Sequence, residues 1–164
     1  MSEDQHSDEF GPYTVLRSAA VIANFIILLP AALSTRSHGT SFLDFVSILI
    51  GIWLASRFVR YLGRAHEYPA AWTSPSRVRQ IERRGIFSKI RHPTIAAVIY
   101  MNLAYLFLFR SMTILLTVCL CIGFWYMIAK YEESVMNERF GDQYREYIMR
   151  TGMFLAGDGH QEMY

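Results

Sequence analysis

The chain has 164 residues, of which 52% are hydrophobic, with 16 Lys and Arg against 14 Asp and Glu. That length is one domain's worth. The apolar residues cluster into four charge-free runs, 18–35, 45–56, 94–109 and 111–129, which excludes a soluble helical bundle because too little polar surface is left to cover them. The resulting expectation is an all-α fold, a multi-pass membrane bundle of about four transmembrane helices with a short amphipathic C-terminal helix.

Residues 1–17 form a polar tail whose first ten residues carry four acidic side chains and no Lys or Arg. A secretory signal would begin basic, so none is expected. Residues 18–63 hold the first two spans. A hydrocarbon core of ~30 Å takes about 20 helical residues, which the first run approaches unaided. It contains Pro30, tolerated where neighbours satisfy the freed carbonyl, and Asn24, read as an interhelical hydrogen-bonding group. The second run must extend through Phe42-Leu43 and 58–62. That places Asp44, Arg57 and Arg60 near the polar boundary, where arginines snorkel.

From 64 to 91 the chain is polar and basic, broken by Pro69 and Pro75. Ser76 is expected to cap a short helix over 77–84, stopped by Gly85. Its arginines fit anionic headgroups first, each contributing about 1 kcal/mol near such a surface, and a dedicated anion pocket second; no nucleic-acid-reading module is recognisable. Residues 92–131 form a hairpin of two spans joined at Arg110-Ser111. The hairpin is expected to bring His92-Pro93 beside Glu132-Glu133. Cys119 and Cys121 lie two positions apart on the last span and face differently, so they form neither a bridge nor a metal pair. Gly141 is expected to end that helix and Asp142 to cap an amphipathic one. On it, Tyr144, Tyr147 and Ile148 share an apolar side suited to the membrane interface. Only Arg36 and Arg110 of the 16 basic residues fall on one side of this arrangement; the positive-inside rule then puts both termini in the cytoplasm.

Ionisable groups at the ends of membrane spans mark a site by default. Pro93 suits the first turn of a helix. The N–H groups and positive dipole of that helix start attract a carboxylate, and Arg91 adds a bidentate donor. Glu132 and Glu133 supply negative charge opposite.

Gly85-Ile86-Phe87-Ser88-Lys89-Ile90-Arg91-His92-Pro93, a hydrophobic hairpin, Glu132-Glu133, and then Phe140-Gly141 followed by Tyr144, Tyr147 and Arg150 make an ordered set. It resembles the isoprenylcysteine carboxyl methyltransferase and phospholipid methyltransferase superfamily, integral-membrane enzymes that use S-adenosylmethionine. Leu62-Gly63-Arg64 is similar to a further family element, and the likeness covers residues 60–154. It implies one methyltransferase-like domain over 1–164, with the cofactor-binding segment at 132–154. The cofactor residues would be Arg91, His92, Pro93, Glu132, Glu133, Tyr144 and Tyr147. Arg150 and Glu133 would be the catalytic residues, Arg150 holding an anionic acceptor; no metal is implied. The cofactor would enter from the cytosol and a lipophilic acceptor from the bilayer. Carboxyl O-methylation of an isoprenylcysteine-like compound is the first expectation and phospholipid N-methylation the second. A membrane reductase or a non-enzymatic adaptor on the same fold are the other classes. The chain departs from the family at Thr94-Ile95, where an apolar residue and a tyrosine are usual, and at Ala156-Gly157, near a usual proline.

Overall fold

The computed structural model describes residues 12–34, 41–71 and 73–156. The acidic tail, Arg36 and Gly157 lie outside the described residues. The fold is all-helical: α1 (Pro12–Ile22), a π-helical turn (Ala23–Leu28), α2 (Leu29–Ser34), α3 (Phe42–His66), α4 (Pro93–Phe109), α5 (Met112–Phe140) and α6 (Asp142–Arg150). Between α3 and α4 stand three short 3-10 turns, Pro69–Ala71, Pro75–Arg77 and Gly85–Ser88.

Among the described residues, two helices are long and apolar enough to cross a membrane, α3 with 25 residues and α5 with 29. Only 17% and 33% of their most apolar stretches are buried within the protein. A soluble core helix would be covered, so these faces need another apolar surround. The four expected full-length spans are not all present by this measure. Helix α4 has 17 residues, short of the ~20 a full crossing takes. The N-terminal run is divided by its π-helical turn, whose cause is local. Pro30 has no N–H and its ring would meet the carbonyl four residues back; widening the helix just before it relieves that clash.

The chain divides into two compact units, one comprising Met1–Gly51 and Asn102–Tyr131, the other Ile52–Met101 and Glu132–Tyr164. In the first, Ala23, Leu28 and Ala32 pack with Ile114, Val118 and Cys121. Small residues let these helices approach closely, the usual device where no water drives association. Gly51 has the same role: a Cβ there would stand 2.7 Å from Leu108 Cγ. The tight α4–α5 connection is present at Arg110-Ser111, with Arg110 at a φ of 35° and its side chain paired to Asp44. Cys121 is buried and Cys119 exposed, as their spacing on one helix requires.

Asn24 is indeed an interhelical group. Its Nδ2 donates to Asn102 Oδ1 at 2.5 Å and its Oδ1 accepts from Trp125 Nε1 at 2.8 Å. All three residues are buried. Replacing Asn102 with leucine should therefore cost about 1–3 kcal/mol, the penalty for a buried polar group left unpaired. Thermal unfolding in detergent measures it, and the double replacement Asn24→Leu with Asn102→Leu should cost less than the sum of the two single changes. A strictly additive result would mean the two amides are not coupled.

The second unit contains the chemistry. Its small core is Ala65, Ala71 and Phe87, with Tyr68 and Ile86 against it. The expected helix over 77–84 is absent. Residues 78–84 form no helix, Val78 is extended, and the next turn starts at Gly85. Ser74, not Ser76, holds the N-cap position of the Pro75–Arg77 turn. Likewise Gly141, with φ +52°, occupies the N-cap position of α6 and Asp142 is its first residue.

Candidate functional site

The site is built on the stretch 89–92 between the Gly85–Ser88 turn and α4, whose last residue, His92, precedes Pro93 and is steered away from the helical region by its ring. That stretch hydrogen-bonds to the segment after α6. Gly152 N–H donates to Lys89 O at 3.0 Å, Arg91 N–H to Gly152 O at 2.9 Å, and His92 N–H to Met153 O at 3.2 Å. The C-terminal segment is thereby latched beside the start of α4.

Arg91 carries a second latch. Its Nε donates to Glu133 Oε1 at 2.8 Å, and its Nη1 donates to the carbonyls of Ile148 and Thr151. Both charged side chains are nearly dry, 9% and 8% exposed. Much of the guanidinium is thus already engaged within the protein, so Arg91 positions Glu133 and the chain after α6.

His92 Nδ1 lies 3.0 Å from Glu132 Oε2. Its Nε2 is 3.6 Å from Glu133 Oε1 and has no hydrogen-bond partner among the described residues. Burial opposes charging of this imidazole, but the Glu132 hydrogen bond and the negative charges of Glu132 and Glu133 together raise its pKa above the ordinary 6.5. The ring of Phe154 stands 6.2 Å from it.

Tyr144 and Tyr147 are buried, packed inward from α6 instead of facing a membrane interface. Tyr147 Oη donates to Phe87 O at 2.7 Å, which ties α6 to the Gly85–Ser88 turn. Burial, followed by the Glu133 charge for Tyr144, pushes both phenols far above their usual pKa. They stay neutral donors.

Arg91, His92, Glu132, Tyr144 and Tyr147 line one cavity of about 80 Å³. Glu133 lies behind it, holding Arg91, and Pro93 is fully buried at the helix start. Arg150 is not among the lining residues; its side chain is 71% exposed and pairs with Glu146 at 2.7 Å. The cavity's other wall comes from the loop, through Pro75, Val78, Ile81, Glu82 and Phe87. Sequence reasoning assigned that loop to headgroups and missed it as a wall. It also missed the carbonyls of Thr151, Gly152 and Met153. Backbone acceptors leave no residue-type signal, although a glycine straight after a short helix is a hint of close backbone approach.

Residues 40–143 match the family model for phospholipid methyltransferases. The chain belongs to the phospholipid methyltransferase family. That family falls within the isoprenylcysteine/phospholipid methyltransferase superfamily, so the resemblance drawn from the motifs holds. Its membership and the two apolar helices support integration in a membrane. Neither the curated proteins nor the solved structures yielded a significant match. The matched stretch takes in Arg91, His92, Glu132 and Glu133, while Tyr144, Tyr147 and the latch at 151–153 lie just beyond it.

Proposed function

We propose that this protein is an S-adenosylmethionine-dependent membrane methyltransferase acting on the amine of a phospholipid, with the cavity at His92 as its site. The observation that carries this reading is the buried His92 Nε2, which lacks a hydrogen-bond partner while Nδ1 faces Glu132. A carboxylate on one imidazole nitrogen makes the other a better proton acceptor. An ammonium acceptor must lose a proton before it can attack, and a base with a pKa near the working pH serves best. The isoprenylcysteine carboxylate, the first expectation from sequence, is already ionised and needs no base, which leaves His92 with cofactor contact alone.

The donor set suits the cofactor's polar head: Glu132 for its ammonium with the charge of Glu133 behind it, and neutral Tyr144 as a hydrogen-bond donor to its remaining polar atoms, while Tyr147 Oη, which donates to Phe87 O, is left to accept. The cofactor, when bound, supplies an electrophilic methyl group. Alignment of acceptor and donor then carries most of the rate. A carboxylate set directly on the donor's positive charge would favour the ground state, so the glutamates act as anchors. Ligand pockets of this kind occupy ~300 Å³ or more, well above the cavity seen here. The loop over 75–88 must therefore yield on binding; it is tethered by Arg83 to Gln143 O and by Arg139 to Pro75 O. The N-terminal run and α4 complete a four-span arrangement with both termini cytoplasmic, which the distribution of basic residues supports. Arg150 stands at the rim as an anchor for an anionic part of the acceptor.

Calorimetry with S-adenosylhomocysteine on the detergent-purified protein tests the cofactor. Wild type should bind, and His92→Ala and Glu133→Gln should each weaken binding at least tenfold. Methyl transfer to phosphatidylethanolamine should then rise with pH as His92 loses its proton, with a midpoint above 6.5. Glu132→Gln removes a charge that holds that proton, so it should move the midpoint down. A folded wild type that binds no S-adenosylhomocysteine would overturn the cofactor assignment. Transfer to an isoprenylcysteine and not to the amine would overturn the acceptor.

A further inference from the structure

Glu82 is a further carboxylate at the cavity, and it belongs to none of the motifs that carried the resemblance. It lies on the loop wall, between the Pro75–Arg77 and Gly85–Ser88 turns. Its side chain is 9% exposed, whereas that of its partner, Arg84, is 76% exposed. The carboxylate is thus turned inward and the guanidinium outward. Arg84 Nε donates to Oε1 at 2.9 Å, Arg84 Nη2 to Oε2 at 3.1 Å, and the Arg84 backbone N–H to Oε1 at 3.1 Å. The Arg84 hydrogen bonds hold this carboxyl below the ordinary carboxylate range, so it is an acceptor only. Oε1 has two of these donors and Oε2 one. A carboxylate offers about four acceptor directions, which leaves Oε2 able to take a further donor.

A second, larger space adjoins the loop wall. It measures about 540 Å³ and shares Ala70, Thr73, Val78 and Glu82 with the cavity at His92. Those four residues form a partition between two spaces of the same compact unit. The outer space is flanked by Arg77, Arg79 and Arg84, all exposed to water. The inner cavity, at about 80 Å³, has room for roughly half a dozen water-sized groups. That suits an amino acid head and excludes a nucleoside. With its head against His92 and Glu132, the cofactor has to continue across the partition, where its ribose joins head to adenine. A ribose presents hydroxyl donors, and a carboxylate is the group that nucleotide sites set against them.

We propose that Glu82 binds a ribose hydroxyl of S-adenosylmethionine, with the adenine in the arginine-flanked space beyond it. The inference rests on the cofactor reading given above and extends it to a residue of the loop. Arg77 and Arg79 gain a task as well, since planar guanidinium groups stack on aromatic rings. The loop is then half of the cofactor site and not a cover over it.

Calorimetry on the detergent-purified full chain tests this with S-adenosylhomocysteine and its analogue lacking both ribose hydroxyls. Wild type should bind the parent compound at least tenfold more tightly than the analogue. Glu82→Ala should bring the two within twofold, by weakening the parent compound alone. Glu82→Gln, which keeps one acceptor oxygen, should retain part of the difference. Arg84→Ala removes the outward partner and leaves the carboxylate, so it should keep the preference. If Glu82→Ala weakens both ligands equally, the residue only shapes the loop and the proposal is overturned. Equal binding of the two ligands by wild type overturns it too, while leaving the cofactor reading intact. Binding of neither by folded wild type overturns both. Should Glu82→Ala fail to fold, a full wild-type preference in Glu82→Gln overturns the proposal.

Discussion

Arg91→Ala is expected to destabilise the protein by about 3–5 kcal/mol, the usual cost of leaving one partner of a buried ion pair uncompensated. Glu133 would then be the stranded charge, 8% exposed and deprived of its 2.8 Å partner. The loss is not confined to the pair, because Arg91 also donates to the carbonyls of Ile148 and Thr151. Hydrogen exchange should accelerate at the amides of Arg91, His92 and Gly152, whose bonds join the two segments, and stay unchanged around Asn24. Replacing the pair together, as Arg91→Met with Glu133→Leu, should restore most of the stability, since apolar side chains of similar size often substitute for a buried pair without loss. It should not restore binding of S-adenosylhomocysteine. Recovery of both would mean that Glu133 serves only the fold.

Gly85→Ala should be the most damaging single methyl group in the second unit. Gly85 has a φ of +56°, and a Cβ there would lie 2.0 Å from Tyr68 Oη and 2.6 Å from its Cζ. Tyr68 has little room to retreat, because its ring packs edge-on against Phe87 at 5.7 Å. Left-handed backbone costs a residue with a side chain about 1–2 kcal/mol, and overpacking adds roughly 1–3. Together they predict a loss of about 2–5 kcal/mol by thermal or denaturant unfolding. The effect should reach the cavity as well, since Phe87 O, two residues on, holds the Tyr147 hydroxyl. A variant with wild-type stability would show that the Gly85–Ser88 turn accepts another backbone path.

Much of this was legible beforehand. The positions of Arg91, His92, Glu132 and Glu133 followed from one physical fact: two apolar segments joined by a two-residue turn fold back side by side. Helix lengths then bring the flanking polar residues together. The buried Asn24 was legible for a similar reason, since an amide in an apolar helix has to find a partner on another helix. The loop over 64–91 was misread because its composition is basic and its prolines sit where a helix could begin after them. Its actual path is set by Tyr68, Phe87 and Tyr147, contacts that span up to 60 residues of sequence.

What the amino-acid sequence determined by itself is the all-helical class, the membrane character, the family and the juxtaposition of the two charged clusters. The class, the membrane character and the juxtaposition depend on composition and local periodicity, which are properties of short segments; the family rests on the ordered set of motifs. Tertiary structure alone decided the roles within that juxtaposition. It bound Arg91 to Glu133 and the chain after α6, left His92 Nε2 without a hydrogen bond, turned Tyr144 and Tyr147 inward and set Arg150 outside the cavity wall. Those outcomes depend on which donor reaches which acceptor first in a nearly dry space. Differences of an ångström settle that, and no residue pattern encodes them.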